Sequence, residues 1–144
     1  MRDNRWLEAK LNQIIRESFQ DINICNNLTI KFGRKARTRL GSIRKQYYGS
    51  FLNQMMRKYD SEILINGLFR NEAIPELIIN STIAHELCHY AHGFSSPLPQ
   101  LSRYPHSGGI VDSELIKRGL GDDLITQKKW LKAHWVRIIK ENHL

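Results

Sequence analysis

The chain has 144 residues, 41% of them hydrophobic and 25% charged, which is typical of one globular domain, here expected over residues 1–144. No apolar run approaches the roughly 18 residues that cross a bilayer, and the polar N-terminus does not resemble a secretory signal peptide, so we expect no membrane span. Two cysteines, Cys25 and Cys88, do not make a disulfide framework, so we expect an intracellular protein, cytoplasmic or nuclear. The net charge of +8 makes nucleic acid a candidate partner, with a solvated basic surface as the plainer alternative.

The first half of the chain predicts one helix and three strands. Apolar residues recur at helical spacing over residues 3–19, with Asp3 or Asn4 as the cap. Three segments have the alternating or β-branched character of strands: 27–33, 38–48 and 62–66. Gly41, in the second of these, is a candidate β-bulge. We expect the third strand to be an exposed edge, to which an extended substrate could add as a further strand.

The second half predicts three helices and one long loop. The first of these helices starts at about Pro75 and ends at Gly93, a residue type that usually closes helices. The loop, residues 94–108, contains three of the four prolines, and loops of that length are usually functional. A short helix over about residues 110–118 and a last helix from about Asp122 follow. A helix, three strands and then helices predict an α+β domain.

One stretch of the first of these helices, IAHELCHYAHG at residues 83–93, has the spacing of a zinc site. His85 and His89 are four residues apart, so both imidazoles leave the same helix face and can bind one ion. Glu86 is turned partly aside, where its carboxylate can take a proton from a zinc-activated water that attacks a carbonyl group. The pattern predicts peptide-bond hydrolysis with one catalytic Zn²⁺ and with Glu86 as the general base. The plainer alternative is two histidines that pack on a helix face without a metal.

Catalytic zinc usually has three protein ligands and one open position, and three residues compete for the third place. His92 is the nearest, but three ligands on one helix cannot easily surround an ion, so a capping role beside Gly93 suits it better. His106 follows the long loop, which lets the chain return across the site, and the glycines behind it permit close approach. Glu114 lies in the next helix, where a zincin with a glutamate ligand would carry it. We favour His106, with Glu114 as the alternative third ligand.

Basic residues cluster around the first predicted hairpin, and four of them are candidate nucleic-acid contacts: Arg34, Lys35, Arg37 and Arg39. Alternate residues of a strand share a face, so Arg37 and Arg39 would point together and could grip phosphates. The alternative is that these charges protect an edge strand from pairing with another chain.

Four segments together resemble the SprT-like metallopeptidase family: TRLGSIR, ILINGLF, TIAHELCHYAHG and PHSGG, in order between about residues 28 and 111. The resemblance implies a minimal zincin-like domain, with Glu86 as the catalytic acid/base and with protein substrates, including DNA-bound proteins. It also implies three zinc ligands: His85, His89 and His106. The family's third histidine usually stands between glycines, whereas here Pro105 precedes it and Ser107 follows it. Many relatives carry a cysteine-rich zinc ribbon, which two cysteines cannot supply.

Two other functions remain open at the level of the sequence. With Glu114 as the third ligand, the protein would be a minimal gluzincin-like peptidase or a regulatory protease that cleaves repressors. Alternatively, the zinc is structural and the protein is a non-catalytic basic domain that binds nucleic acid. A fourth protein ligand, for which His92 is the candidate, would favour the last function, because structural zinc sites are closed.

Overall fold

The computed structural model describes residues 1–49, 51–56 and 58–144, which form an α+β fold. The helices and strands follow in this order: α1 (Asn4–Ser18), β1 (Leu28–Phe32), β2 (Gly41–Tyr47), α2 (Phe51–Met55), β3 (Tyr59–Ile65), a 3₁₀ helix (Gly67–Arg70), α3 (Glu76–Ala91), α4 (Ile110–Lys117) and α5 (Gly121–Glu141). The predicted α+β class, the N-terminal helix, the three strands and the three C-terminal helices are confirmed.

The three strands form one mixed sheet in the order β1-β3-β2, with β1 parallel and β2 antiparallel to β3. The expectation that the third strand is an exposed edge is therefore wrong. Its three consecutive apolar residues, 63–65, suit a central strand, whereas the shorter β1 and the more polar β2 take the edges. The predicted first hairpin is also wrong, because β1 and β2 lie on opposite sides of β3.

Gly41 pairs regularly with Ile65, so the predicted bulge is absent at this position. The glycine is needed for another reason, since α3 crosses directly over it. A Cβ atom on Gly41 would lie 2.8 Å from Cγ2 of Thr82 and 3.2 Å from Oε1 of Glu86. The close approach brings the start of β2 against the helix that carries the histidines.

The core lies between the inner face of the sheet and α3, and α1, α4 and α5 close it from the sides. One isoleucine from each strand, Ile30, Ile63 and Ile43, forms a row across the sheet, and all three are buried. Trp130 and Trp135 of α5 are partly buried against this core.

The start of α1 and the end of α3 lie where the sequence predicted them. Asp3 caps α1, because its Oδ1 accepts a hydrogen bond of 2.9 Å from the backbone N–H of Trp6. Gly93 follows α3 with a positive φ of 79°, which favours glycine. Two short helices were not predicted, α2 and the 3₁₀ helix, because neither is long enough to show helical periodicity. Among the residues that the structure describes, no helix is long and apolar enough to cross a membrane.

Candidate active site and metal centre

The predicted zinc-binding histidines lie next to each other on α3, and His85 also lines a cleft. Their Nε2 atoms are 3.2 Å apart, and their ring centroids are 4.9 Å apart. His89 is 1% exposed, and His85 is partly exposed. The spacing of four residues therefore gives the expected result, two imidazoles on one helix face that point at the same region of space.

His106 lies beside this pair because the long loop folds back over the end of α3. The backbone N–H of Leu101 donates to the carbonyl of His92 at 3.0 Å, which fastens the loop to the helix end. The loop passes so close to Gly93 that a Cβ atom there would overlap the Pro99 carbonyl. The ring of His106 then lies 4.7 Å from the ring of His89, centroid to centroid.

The two facing nitrogens have the separation of two zinc ligands. Ligand atoms about 2.0–2.1 Å from one tetrahedral ion are about 3.3 Å from each other, close to the 3.2 Å between the Nε2 atoms of His85 and His89. The same distance fits an N–H···N hydrogen bond between the two rings. As they stand, no three His, Cys, Asp or Glu side chains within residues 1–49, 51–56 and 58–144 converge closely enough to form a metal site. His106 is exposed and supplies the third imidazole from beside the pair. The chemistry of this donor set, three imidazole side chains, fits zinc.

The environment of the two helix histidines favours their neutral forms. Burial lowers the pKa of His89 to about 4, and the neighbouring rings of His85 and His106 act in the same direction. Burial also lowers the pKa of His85, while the carboxylate of Asp112 opposes the shift. A neutral imidazole keeps a lone pair that can bind a metal. Nδ1 of the buried His89 has no hydrogen-bond partner among the described residues.

Glu86 forms one wall of the cleft together with the start of β2. The cleft has a volume of about 250 Å³, and His85, Arg39, Gly41 and Gln127 also line it. The carboxyl group of Glu86 is 4% exposed and forms no hydrogen bond or ion pair with any residue in the described part of the chain. Burial raises the pKa of Glu86 to about 8, and the guanidinium of Arg39 opposes that shift. A carboxyl group in such surroundings can hold or release a proton near neutral pH.

The alternative ligand Glu114 lies elsewhere, in an ion-pair network between α3, α4 and α1. Its Oε1 accepts hydrogen bonds from Arg118, and its Oε2 is 3.6 Å from Nε2 of His92. Arg118 also donates to Asp21 and to the carbonyl of Ser18. His92 is buried and forms the C-cap of α3, so the structure gives it the capping position that the sequence suggested.

The loop between β1 and β2 is pinned beside the cleft by Asn66. The side-chain Nδ2 of Asn66 donates to the carbonyls of Ala36 and Arg39, both at 2.8 Å. Its Oδ1 accepts from the N–H groups of Ala36 and Leu68. Trp135 of α5 adds a further hydrogen bond, from its indole N–H to the carbonyl of Arg37. Arg37 and Arg39 therefore lie in a loop, and the prediction that they share a strand face is wrong because β2 begins only at Gly41.

The four candidate nucleic-acid contacts do not all lie on the same surface of the protein. Arg34 and Arg39 line a groove of about 610 Å³ on the outer side of the sheet, which Lys31 and Arg44 line as well. Arg39 and Gly41 line both this groove and the cleft at Glu86, so the two adjoin at these residues. We call the groove on the outer side of the sheet the basic groove. Lys35 instead lies on another surface, where its Nζ donates to Asn142 at 3.0 Å. Arg37 is exposed and does not line the groove.

Glu62 partly balances the charge of the basic groove. Its Oε1 pairs with Arg44 at 2.7 Å and its Oε2 with Lys31 at 3.5 Å. Arg34 and Arg39 form no ion pair with any other described residue. These two guanidinium groups remain available for an anionic partner.

Sequence reasoning missed the residues that support the site from a distance. Gln127 of α5 is buried and donates to Oγ1 of Thr82 and to the carbonyl of Ile78, which fixes the helix beside the cleft. No local pattern marks Gln127, since it contacts α3 only through the packing of two helices. Cys88 is fully buried, and burial raises the pKa of its thiol to about 12, so the thiol is inert.

Comparisons of the chain with protein-family models, with curated proteins and with solved structures find no match.

Proposed function

We propose that this protein is a zinc-dependent metalloendopeptidase, with His85, His89 and His106 as the zinc ligands. The observation that carries the proposal is the 3.2 Å separation of the two Nε2 atoms, with a third imidazole beside them. The buried and unpaired carboxyl group of Glu86 on the neighbouring wall supports it. The resemblance of the motifs to the SprT-like family points to the same activity.

Each group of the site then has a role in peptide hydrolysis. Zinc, when bound, polarises the scissile carbonyl and makes a water molecule nucleophilic at neutral pH. Glu86 accepts the proton of the attacking water on its carboxylate and later donates it to the leaving amine nitrogen. Gly41 leaves room for this carboxyl group, since a Cβ atom at position 41 would lie 3.2 Å from Oε1 of Glu86.

An extended segment of the substrate fits beside β2. This strand is an edge of the sheet, and its first residue, Gly41, lines the cleft next to Glu86. A substrate strand that adds to this edge would pass the carboxyl group of Glu86 with its backbone. We therefore move the proposed site of strand addition from β3, which is central, to β2.

The basic groove favours substrates that are bound to DNA or to another polyanion. It joins the cleft at Arg39, so a protein substrate in the cleft and a polyanion in the groove would touch the same residue. In the part of the chain that the structure describes, the guanidinium groups of Arg34 and Arg39 form no ion pair, so they can bind phosphates. The free thiols of Cys25 and Cys88 accord with an intracellular location.

The two alternatives have weaker support. The engagement of Glu114 with Arg118 and His92 argues against a glutamate ligand, because both carboxylate oxygens face other side chains. A closed structural zinc site needs a fourth ligand, and His92 faces Glu114 instead.

The test is the zinc content of the purified wild type beside His106→Ala and Glu114→Gln. We expect one zinc per wild-type chain, loss of the metal in His106→Ala and retention in Glu114→Gln, which keeps the shape of the side chain. Loss of zinc from Glu114→Gln alone would favour the glutamate ligand. A wild type that binds no zinc would overturn the proposal, and one that binds zinc but cleaves no protein, with or without DNA, would favour a non-catalytic zinc domain.

A further inference from the structure

A series of hydrogen bonds runs from α3 to the start of the loop that leads to His106. The hydroxyl of Tyr90 donates to Oδ1 of Asn26 at 2.6 Å, and Nδ2 of Asn26 donates to Oγ of Ser61 at 2.9 Å. The hydroxyl of Ser61 then donates to the backbone carbonyl of Ser95 at 2.6 Å. We call these residues the hydrogen-bond relay: Tyr90, Asn26, Ser61 and Ser95. The relay connects α3, the segment before β1, β3 and the loop after α3.

Ser61 is the buried centre of the relay. The residue is 0% exposed, and its side chain lies on the same face of β3 as Ile63, toward the core. A hydroxyl group in such surroundings destabilises the fold unless it forms hydrogen bonds. The relay supplies both of its partners, Asn26 as the donor and the Ser95 carbonyl as the acceptor. Because a serine hydroxyl has a single proton, that proton is committed to Ser95.

The relay ends on a residue with an unusual backbone conformation. Ser95 has a positive φ of 52°, which residues other than glycine rarely adopt. Such a conformation persists only where the surrounding structure holds it. The hydrogen bond from Ser61 to the Ser95 carbonyl is one contact that does so. The next residue is also fastened to α3, since the hydroxyl of Ser96 donates to the carbonyl of Tyr90 at 2.7 Å.

The residue before Ser95 packs against two of the proposed zinc ligands. The ring of Phe94 is 5.6 Å from the ring of His89 and 6.1 Å from the ring of His106, centroid to centroid. The backbone N–H of Phe94 also donates to the carbonyl of His89 at 2.9 Å. Phe94 therefore pairs with one ligand from the helix and with one from the loop, directly beside the backbone that the relay holds.

We propose that the hydrogen-bond relay positions His106 for zinc, with Ser61 as the central positioning residue; this inference rests on the zinc site proposed above. The relay fixes Ser95, and Phe94 then keeps His106 beside the helix histidines. A loop that is already held near its bound geometry loses less conformational freedom when a metal binds, so its affinity is higher. If the loop is held only part of the time, the apparent dissociation constant rises by the inverse of that fraction.

The experiment is a zinc titration of the full chain in competition with a chromophoric chelator, with Ser61→Ala beside the wild type. We expect the apparent dissociation constant for zinc to rise about three- to tenfold, the effect of one lost hydrogen bond. Tyr90→Phe, which removes the first donor of the relay and keeps the ring, should weaken zinc binding in the same direction. Ser81→Ala is the matched control. It removes a buried hydroxyl of α3 that has no hydrogen-bond partner within the described ranges, and it should change the affinity by less than about twofold.

Two further variants separate positioning from a general loss of stability. Ser95→Gly, added to Ser61→Ala, should restore most of the zinc affinity, because glycine adopts a positive φ without strain. Ile14→Val shortens a buried side chain of α1 outside the relay, so it should lower the stability of the zinc-free protein to urea and leave the zinc affinity unchanged.

The outcomes distinguish this inference from the proposed function. Wild-type zinc affinity in Ser61→Ala, an equal loss of affinity in Ile14→Val, or no recovery with Ser95→Gly would each overturn the positioning role. Any of these results would leave the zinc site itself in place. A wild type that binds no zinc would overturn both proposals.

Discussion

At the scale of single residues, the carboxyl group of Glu86 has no partner in the described part of the chain. The residue as a whole is buried, yet its carboxyl oxygens are not among the fully buried polar atoms, so they can meet a water molecule or a substrate in the cleft. The position of Glu86 between the histidines and Gly41 suits a group that exchanges a proton with a substrate.

The corresponding prediction concerns Glu86→Gln, which keeps the shape of the side chain but cannot carry the proton. Protein cleavage should fall by about 10²–10⁴-fold, with zinc content unchanged. The measurement is the initial rate of cleavage of an unstructured protein, alongside zinc analysis. Glu8→Gln, at an exposed position on α1, is the control and should behave as the wild type. Full activity in Glu86→Gln would rule out the proposed role.

At the scale of secondary-structure elements, the contact between the start of β2 and α3 positions the site. Asn66 holds the loop before β2 through its hydrogen bonds to Ala36 and Arg39. Gly41 then allows the strand backbone to pass close to Thr82 and Glu86. The cleft therefore depends on a strand and a helix that are far apart in sequence.

Gly41→Ala tests this contact. Its Cβ atom would lie 2.8 Å from Cγ2 of Thr82 and 3.3 Å from the Leu64 carbonyl, so strand and helix must move apart. We expect a loss of about 1–3 kcal/mol in the free energy of unfolding, measured by urea denaturation, and a lower cleavage rate.

The control for this prediction is Gly121→Ala, at the start of α5. A Cβ atom there would be 3.4 Å from its nearest neighbour, Cγ1 of Ile116, which is an ordinary contact. Its free energy of unfolding should stay within about 0.5 kcal/mol of the wild type. If the two variants lose the same stability, the proposed contact between β2 and α3 does not explain the glycine.

At the scale of the whole molecule, part of the net charge of +8 is concentrated along the basic groove. The groove adjoins the cleft at Arg39, so part of the positive charge lies next to the proposed site of catalysis.

Arg34→Ala tests whether the groove binds a polyanion. The affinity for a labelled DNA oligonucleotide, followed by fluorescence anisotropy over a salt series, should fall several-fold, and the slope of log K against log salt should fall by about one. Arg16→Ala removes the same charge from an exposed site on α1 and should have little effect. Equal losses in both variants would mean that DNA binding follows net charge alone.

The sequence predicted those parts of the fold that depend on local patterns. The helices and the existence of three strands follow from periodicity, and the cap at Asp3 and the end of α3 at Gly93 follow from the chemistry of single residues. The order of the strands was predicted wrongly, because a strand that is short and apolar does not reveal which neighbours it pairs with. The loop position of Arg37 and Arg39 was missed for a related reason, since Asn66, a distant residue, holds that segment out of the sheet.

For the candidate site, the sequence by itself determined the pairing of His85 with His89. A spacing of four residues in a helix places two side chains on one face whatever surrounds them. Only the tertiary structure decided that His106 lies beside this pair and that Glu114 turns to Arg118 and His92. Those distances depend on the path of a long loop and on the packing of helices against each other, and no local pattern of residues encodes either.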